Sequence, residues 1–280
     1  MTELAERADA APVPRAHTEL MTGLALVAGG ANVIMQLSRR PVGRGVVESK
    51  VDSGRLDLHP VKRTRTTLTY LVVAAVGTPE EREWMRQEVN RSHRLVRSDE
   101  DSPVRYNAFD RELQLWVAAC IYRGYEDTYR AFYGDPGPET LRRFYEHGAR
   151  FGTTLQVRPD MWPADREAFE AYWKESVQRI EVDRQTRAYL RGIAEVRFLP
   201  GPLAKVLGPF NRVMTVGFLP QEFRDELGYE WTGRDRAVFA AALKGMAVAN
   251  RLMPGPLRRF PFNVYLWDFR RRMRKGRSFV

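Results

Sequence analysis

Residues 78–97 read TPEEREWMRQEVNRSHRLVR, a stretch that combines a helix start with a helical apolar stripe. Thr78 suits the N-cap position, Pro79 suits the first helical position, and Glu81 stands where a capping box requires an acidic residue. Caps and helical spacing predict helices over residues 78–97, 110–133, 138–151, 164–184 and 232–252. Alternating runs typical of strands are short and few. The sequence therefore predicts an all-α fold, a single-domain helical bundle.

The apolar side of the helix predicted over residues 78–97 includes a histidine. Its members recur at helical spacing and are Met85, Val89, His93 and Val96. Two interpretations of His93 stay open at this point. In one, it is a core histidine whose ring nitrogens bond to neighbouring groups. In the other, a neutral imidazole faces an apolar pocket between helices, which is how a protein holds haem iron from one side.

The composition indicates one globular body. With 280 residues, of which 44% are hydrophobic, the chain can bury a sizeable core. We divide it into a flexible N-terminal leader (1–17), a helical domain (18–256) and a basic aromatic tail (257–280). The single cysteine, Cys120, excludes an internal disulfide framework, and the apolar run FDRELQLWVAACIY around it predicts a buried thiol. This cysteine usage fits a reducing, cytoplasmic location.

Residues 21–37, MTGLALVAGGANVIMQL, are the candidate membrane span of the sequence. The stretch is at the short edge of what crosses a bilayer and contains two adjacent glycines. We therefore predict a buried helix there. We expect no signal peptide, because residues 1–20 lack a basic region that leads into an apolar one.

Positive charge is concentrated in the tail. Of a formal net charge of +10 for the chain, residues 257–280 contribute eight Arg or Lys and one Asp. Large apolar residues stand beside these charges, namely Tyr265, Leu266, Trp267 and Phe269. The pairing suits peripheral contact with an anionic membrane, and the alternative is a solubilising terminus whose aromatic side chains pack on the body. No motif that reads bases accompanies the charges, so we expect no nucleic-acid partner.

Familiar catalytic motifs are missing from the sequence. There is no HExxH, GxSxG, Walker loop or GxGxxG after a strand, and the ExxH spacing of di-iron bundles fails because Arg91 follows Glu88. The histidines are His17, His59, His93 and His147. His17 falls in the leader and His147 near a predicted helix end, where a cation is favoured. His93 is therefore the candidate that carries chemistry.

Residues 59–77, HPVKRTRTTLTYLVVAAVG, begin with basic and hydroxyl side chains. The basic residues are Lys62, Arg63 and Arg65, and the hydroxyl residues that alternate with them or follow are Thr64, Thr66 and Thr67. Cations here suit the two propionates of a haem, whereas the structural interpretation is a solvated first helical turn. The hydroxyls bond either to a ligand or, as is commoner, to the backbone.

Five stretches in succession resemble the family that unites the bacterial latex-clearing (rubber) oxygenases with the fungal oxygenase of the mycophenolic-acid pathway. They lie between about Gly23 and Trp173 and read GANVIMQLSRRPVGRGVVESK, HPVKRTRTTLTYLVVAAVGTPEE, VNRSHRLVR, YNAFDRELQLWVAACIY and RPDMWPADREAFEAYW. Their ordered succession is more specific than any one of them.

The resemblance implies a globin-related helical core that binds haem b. In that family the histidine of an H-x-x-V motif holds the iron, and His93, followed by Val96, stands at this position. The family's R-x-x-x-T element corresponds to Arg63, Thr66 and Thr67, which the resemblance places beside the haem on its distal or propionate side. It implies that Arg63 binds a propionate or polarises bound oxygen, with Arg63 and Thr67 as the catalytic pair.

The chain departs from the family pattern at two positions. Latex-clearing enzymes carry a lysine that can cap the iron, whereas this chain has Thr66 there. The first stretch usually reads Q-L-A-H-P, and in QLSRRP an arginine, Arg40, replaces the histidine. Three further residues, which we interpret as helix cap and core, fit the family's Y-x-A-x-D…W pattern: Tyr106, Asp110 and Trp116.

Two functional hypotheses follow. The first is a haem b-dependent oxygenase that oxidises a small apolar organic substrate with dioxygen or peroxide, with His93 as proximal iron ligand. The second is a non-catalytic, helical lipid- or membrane-associated binding protein of the same fold. Both are compatible with a cytoplasmic protein that contacts a membrane at its periphery.

Overall fold

The computed structural model describes residues 13–49 and 59–279, with the side chains of 15–17 excepted. The described chain is mostly helical and contains no strand. Its α-helices are α1 (Arg15–Leu20), α2 (Gly29–Leu37), α3 (Arg40–Val47), α4 (Pro60–Val76), α5 (Pro79–His93), α6 (Arg111–Tyr133), α7 (Pro138–Gly148), α8 (Arg150–Thr153), α9 (Arg166–Val177), α10 (Arg184–Ala194), α11 (Gly201–Phe218), α12 (Gln221–Leu227), α13 (Gly233–Leu252), α14 (Gly255–Arg258) and α15 (Phe262–Arg274). Two 3-10 segments lie at Gly23–Ala28 and Pro159–Met161. The all-α prediction is confirmed, and the relation to globins stays a prediction from the resemblance.

The helices start where the sequence places their caps. The Thr78 hydroxyl accepts a hydrogen bond from the Glu81 N–H, and the Glu81 carboxylate accepts one from the Thr78 N–H, which completes the predicted capping box of α5. Asp110 caps α6 in the same way, by accepting from the N–H groups of Glu112 and Leu113. Each cap satisfies backbone donors that the first helical turn leaves free.

Some helix ends match the predictions and others differ. α6 and α13 end at Tyr133 and Leu252, as predicted. α5 ends at His93, so Val96 lies beyond the helix, in a turn where its N–H bonds to the His93 carbonyl at 3.0 Å. The helix predicted over 164–184 ends at Val177, and Asp183 instead caps α10. The candidate span at 21–37 begins as a 3-10 segment and continues as α2. Within residues 13–49 and 59–279, no helix has the length and apolar character needed to cross a bilayer.

Helix α6 lies between two hydrophobic clusters. Leu115 and Tyr122 belong to the first cluster, with residues of α4, α7 and α15, whereas Trp116 and Cys120 belong to the second, with residues of α2, α10 and α11. Cys120 is fully buried, as predicted. Burying both sides of one long helix joins the clusters into a single body, and area removed from water is the main stabilising contribution.

The tail packs onto the body. α15 lies against α4, and the side chains of Phe262, Phe269 and Phe279 are buried. The boundary that we predict at residue 256 therefore divides residues that pack together. At the other end, α1 begins at Arg15, inside the stretch that we assign to a leader, and residues 1–12 of that stretch lie outside the described residues.

Candidate functional site

Helices α4 and α5 form an antiparallel pair that the short connection Gly77–Thr78 joins. Arg63 and His93 lie at nearly the same number of residues from this connection, one before it and one after it. Both therefore fall at the open end of the helix pair. The positive charge of Arg63 acts on the His93 ring. The structure thus brings together the two residues on which the sequence interpretation depends.

His93 has a neutral imidazole with an unpartnered nitrogen. Burial, with a smaller effect from the Arg63 charge, lowers its pKa from 6.5 to about 4. The ring is consequently neutral at pH 7, the state in which histidine binds metals. Its Nδ1 atom is buried and has no hydrogen-bond partner among the described residues, and the Phe109 ring lies edge-on at 6.2 Å between centroids. Buried polar atoms ordinarily have a hydrogen-bond partner, and a bare Nδ1 on a neutral ring is compatible with a ligand role.

Arg63 is exposed to solvent, and the neighbouring protein still desolvates the guanidinium enough to lower its pKa. The charge interaction with Tyr189 of α10 opposes this shift, so α10 lies within range of Arg63. Within residues 13–49 and 59–279, no carboxylate forms an ion pair with Arg63, so no carboxylate of this part of the chain neutralises its charge.

The other polar residues at the start of α4 have different roles. Thr66 donates its hydroxyl to the Arg63 carbonyl at 2.9 Å, the backbone bond that is common in helices. Arg65 points toward the C-terminal segment, with its guanidinium 5.8 Å from the centre of the Phe279 ring. Lys62 is exposed and Thr67 is partly buried on the same helix as Arg63. The role of Thr67 as part of a catalytic pair stays a prediction.

The remaining histidines have structural surroundings or lie on the surface. His147 is buried, and its Nε2 lies 2.8 Å from the Ala75 carbonyl oxygen and 2.9 Å from Arg150 Nη1. His59 is exposed at the start of α4. The side chain of His17 lies outside the described residues. His93 differs from these histidines in its place in the H-x-x-V motif and in its nearness to Arg63.

Arg40, which departs from the family pattern, and Asp110 and Trp116, which match it, have structural roles. Arg40 pairs with Glu181 at 2.7 Å on the surface, which ties α3 to the segment before α10. Asp110 caps α6 and Trp116 is fully buried, with its Nε1–H donating to the Gln36 carbonyl at 3.0 Å. The cap and core interpretations are confirmed, and the arginine at position 40 serves an ion pair.

A surface cleft of about 440 Å³ lies elsewhere, at the end of α9 and the start of α12. Its lining includes Glu222, Asp225 and Glu226. Three carboxylates repel an anionic cofactor and do not suit an apolar substrate. We therefore place the functional site at His93 and Arg63.

Comparison with known proteins identifies the family of this chain. The family model described as "ER-bound oxygenase mpaB/B'/Rubber oxygenase, catalytic domain" matches residues 17–248. The chain belongs to this family. As a member of the mpaB/rubber oxygenase family, it has the catalytic domain of an oxygenase, and the predicted resemblance is confirmed over a longer range than the five stretches cover.

Two mycobacterial proteins are similar to this chain. The uncharacterized proteins Mb2261 of Mycobacterium bovis and Rv2237 of Mycobacterium tuberculosis are each 49% identical to it over 250 residues, which is 89% of this chain and 98% of the relative. No solved structure matches the chain.

Sequence reasoning missed two residues that border the site. Phe109 falls within the quoted stretch YNAFD, and its contact with His93 arises because the loop after α5 turns back on the helix end. Tyr189 is distant from Arg63 in the sequence, and no motif links the two. Only the packing of α10 brings its ring into range of Arg63.

Proposed function

We propose that this member of the family is a haem b-dependent oxygenase that acts on an apolar organic substrate with dioxygen or peroxide, and that His93 is the proximal iron ligand. The observation that carries the proposal is the neutral imidazole with its buried, unpartnered Nδ1 beside an arginine that pairs with no carboxylate of residues 13–49 and 59–279. A neutral nitrogen donor and a nearby cation are what an iron porphyrin with two carboxylates needs.

His93 and Arg63 would have different roles toward the haem. When bound, haem supplies the electron transfer and the binding of the oxidant. His93 would hold the iron, and the helix end that it closes fixes the position of the ring. Arg63 would neutralise a propionate, and burial, with a smaller effect from the Arg63 charge, lowers the pKa of His93 so that the imidazole stays unprotonated.

The apolar character of the substrate is inferred from the family, whose description includes a rubber oxygenase.

The visible absorption spectrum tests the proposal. We expect the purified protein, as isolated or after addition of haemin, to show a strong Soret band and a b-type pyridine haemochrome. His93→Ala should lose the axial-ligand signature of the wild type and regain it when imidazole is added. His59→Ala is the matched control, because His59 lies on the same helix pair but is exposed, and it should keep the wild-type spectrum.

A protein that stays colourless with excess haemin would contradict the proposal and favour the alternative, a non-catalytic lipid- or membrane-associated binding protein of the same fold. A His93→Ala variant with an unchanged axial-ligand signature would instead leave haem binding in place and show that another residue holds the iron.

A further inference from the structure

The segment of residues 257–267 exposes large apolar side chains. They are Leu257 of α14, Phe260 of the connection that follows, and Val264 and Trp267 of α15, each between 44% and 59% exposed. Val264 and Trp267 stand three residues apart on α15, so they project from the same side of the helix. Scattered single apolar residues are common on protein surfaces, but a row of four along one short segment indicates an interaction surface.

The inward side of α15 fixes which residues face outward. Phe262 and Phe269 are buried in the core, and Tyr265, Leu266 and Met273 pack against the same cluster. These positions follow helical spacing, so α15 is an amphipathic helix whose second, outward side is also apolar in its first two turns. Because the inward side is anchored, the outward row is a fixed feature of the surface.

Basic residues border this row. Exposed cations at its two ends are Arg259, Arg271, Arg274, Lys275 and Arg277. Arg271 and Arg274 continue the helical side of Val264 and Trp267, and the Arg271 guanidinium lies 5.5 Å from the centre of the Trp267 ring. Within the described residues none of these five pairs with a carboxylate, unlike Arg270 and Arg272 on the same helix, which pair with Glu81 and Asp268.

We propose that this surface, defined by Leu257, Phe260, Val264 and Trp267 with the five cations around them, docks the protein onto an anionic lipid bilayer. Apolar and aromatic side chains enter the headgroup region while unpaired cations meet anionic headgroups. Charge complementarity selects this occupant. A second copy of the chain would bring two clusters of like charge together, and a nucleic acid would gain nothing from Leu257 and Val264.

Binding of the full-length protein to vesicles tests the proposal. We expect sedimentation with vesicles of phosphatidylcholine and phosphatidylglycerol at low salt, little sedimentation with phosphatidylcholine alone, and weaker binding at 0.5 M salt. The double variant Arg271→Glu/Arg274→Glu should lower the affinity at least tenfold. The double variant Val264→Ser/Trp267→Ser should lower the affinity several-fold and abolish the binding that persists at 0.5 M salt.

Matched controls are Arg184→Glu on α10 and Val238→Ser on α13, both exposed and on other helices, and they should bind like the wild type. Circular dichroism checks that each variant is folded. Absent wild-type binding, equal binding to both vesicle types, or double variants that bind like the controls would overturn the proposal. The proposal would also be wrong if Arg271→Glu/Arg274→Glu abolished binding to duplex DNA while Val264→Ser/Trp267→Ser left binding to vesicles unchanged. His93→Ala should bind vesicles normally, so this test is independent of the oxygenase.

Discussion

At the scale of single residues, the surroundings of His93 determine its protonation state. Burial disfavours the protonated ring, and the fixed cation of Arg63 acts in the same direction with a smaller effect. Because the histidine stays neutral, it adds no second positive charge beside Arg63, whose own charge can attract an anion. The sequence could predict both residues, since each belongs to a short motif, but their proximity depends on the antiparallel pairing of α4 with α5.

Arg63→Ala should weaken haem binding by about 10- to 100-fold, the range expected when a charge-assisted hydrogen bond to a carboxylate is lost. Arg63→Lys should recover part of the affinity, because it restores the charge without the planar guanidinium. Titration of each apoprotein with haemin, followed at the Soret band, measures the change.

The neighbouring residue Lys62 provides the control for that titration. Lys62 is exposed, and Lys62→Ala should bind haemin like the wild type. If Arg63→Ala and Lys62→Ala bind equally well, Arg63 does not contact the cofactor and its place in the site is wrong.

At the scale of elements, helix starts were predictable and helix ends only in part. α6 and α13 end as predicted, whereas α5 and α9 do not. A start such as Thr78 is encoded by side chains within four residues of it, and the predicted bonds form. The end of α9 depends on distant parts of the chain. After Val177 the backbone leaves the helix, and the Glu181 N–H bonds to the Ser38 carbonyl at 2.8 Å. No local pattern in residues 164–184 signals that contact.

Helices α11 and α13 approach each other closely at a glycine. A Cβ atom on Gly217 would lie 2.3 Å from the ring of Phe239, and that ring is held between Phe218 and Trp231. We therefore expect Gly217→Ala to lower the free energy of unfolding by about 1–3 kcal/mol, the usual cost of overpacking. Urea unfolding monitored by circular dichroism measures the change.

Gly245 on α13 is the matched control, because a Cβ there meets nothing within 4 Å. Gly245→Ala should raise the free energy of unfolding by about 0.5–1 kcal/mol, since alanine is a better helix former. Equal effects at the two glycines would mean that α11 and α13 do not pack as closely as described.

At the scale of the whole molecule, the tail is part of the core. The sequence left two interpretations of residues 257–280 open, a membrane contact and a terminus that packs on the body, and helical spacing reconciles them. Phe262 and Phe269 face inward, whereas Val264 and Trp267 face outward. The sequence alone does not show which side of α15 faces inward, because that depends on the body against which the helix packs.

Phe279 extends this packing to the end of the described chain. It is buried, with its ring 5.8 Å from that of Phe269. Phe279→Ala should lower the free energy of unfolding by about 3 kcal/mol. Phe260→Ala, which removes the same side chain from an exposed position, should change it by less than about 1 kcal/mol. Chemical denaturation distinguishes them, and a similar small effect at both positions would show that Phe279 is not anchored.

The C-terminal segment at Phe279 is hydrogen-bonded to α5, the helix that ends at His93. Glu88 of α5, almost fully buried, accepts hydrogen bonds from the Ser278 hydroxyl at 2.7 Å and from the Phe279 N–H at 2.6 Å. An affinity tag fused behind Phe279 would leave the protein from the flank of that helix. Cofactor-loading measurements on such a fusion would report the strain that the tag places on the helix as well as the properties of the site.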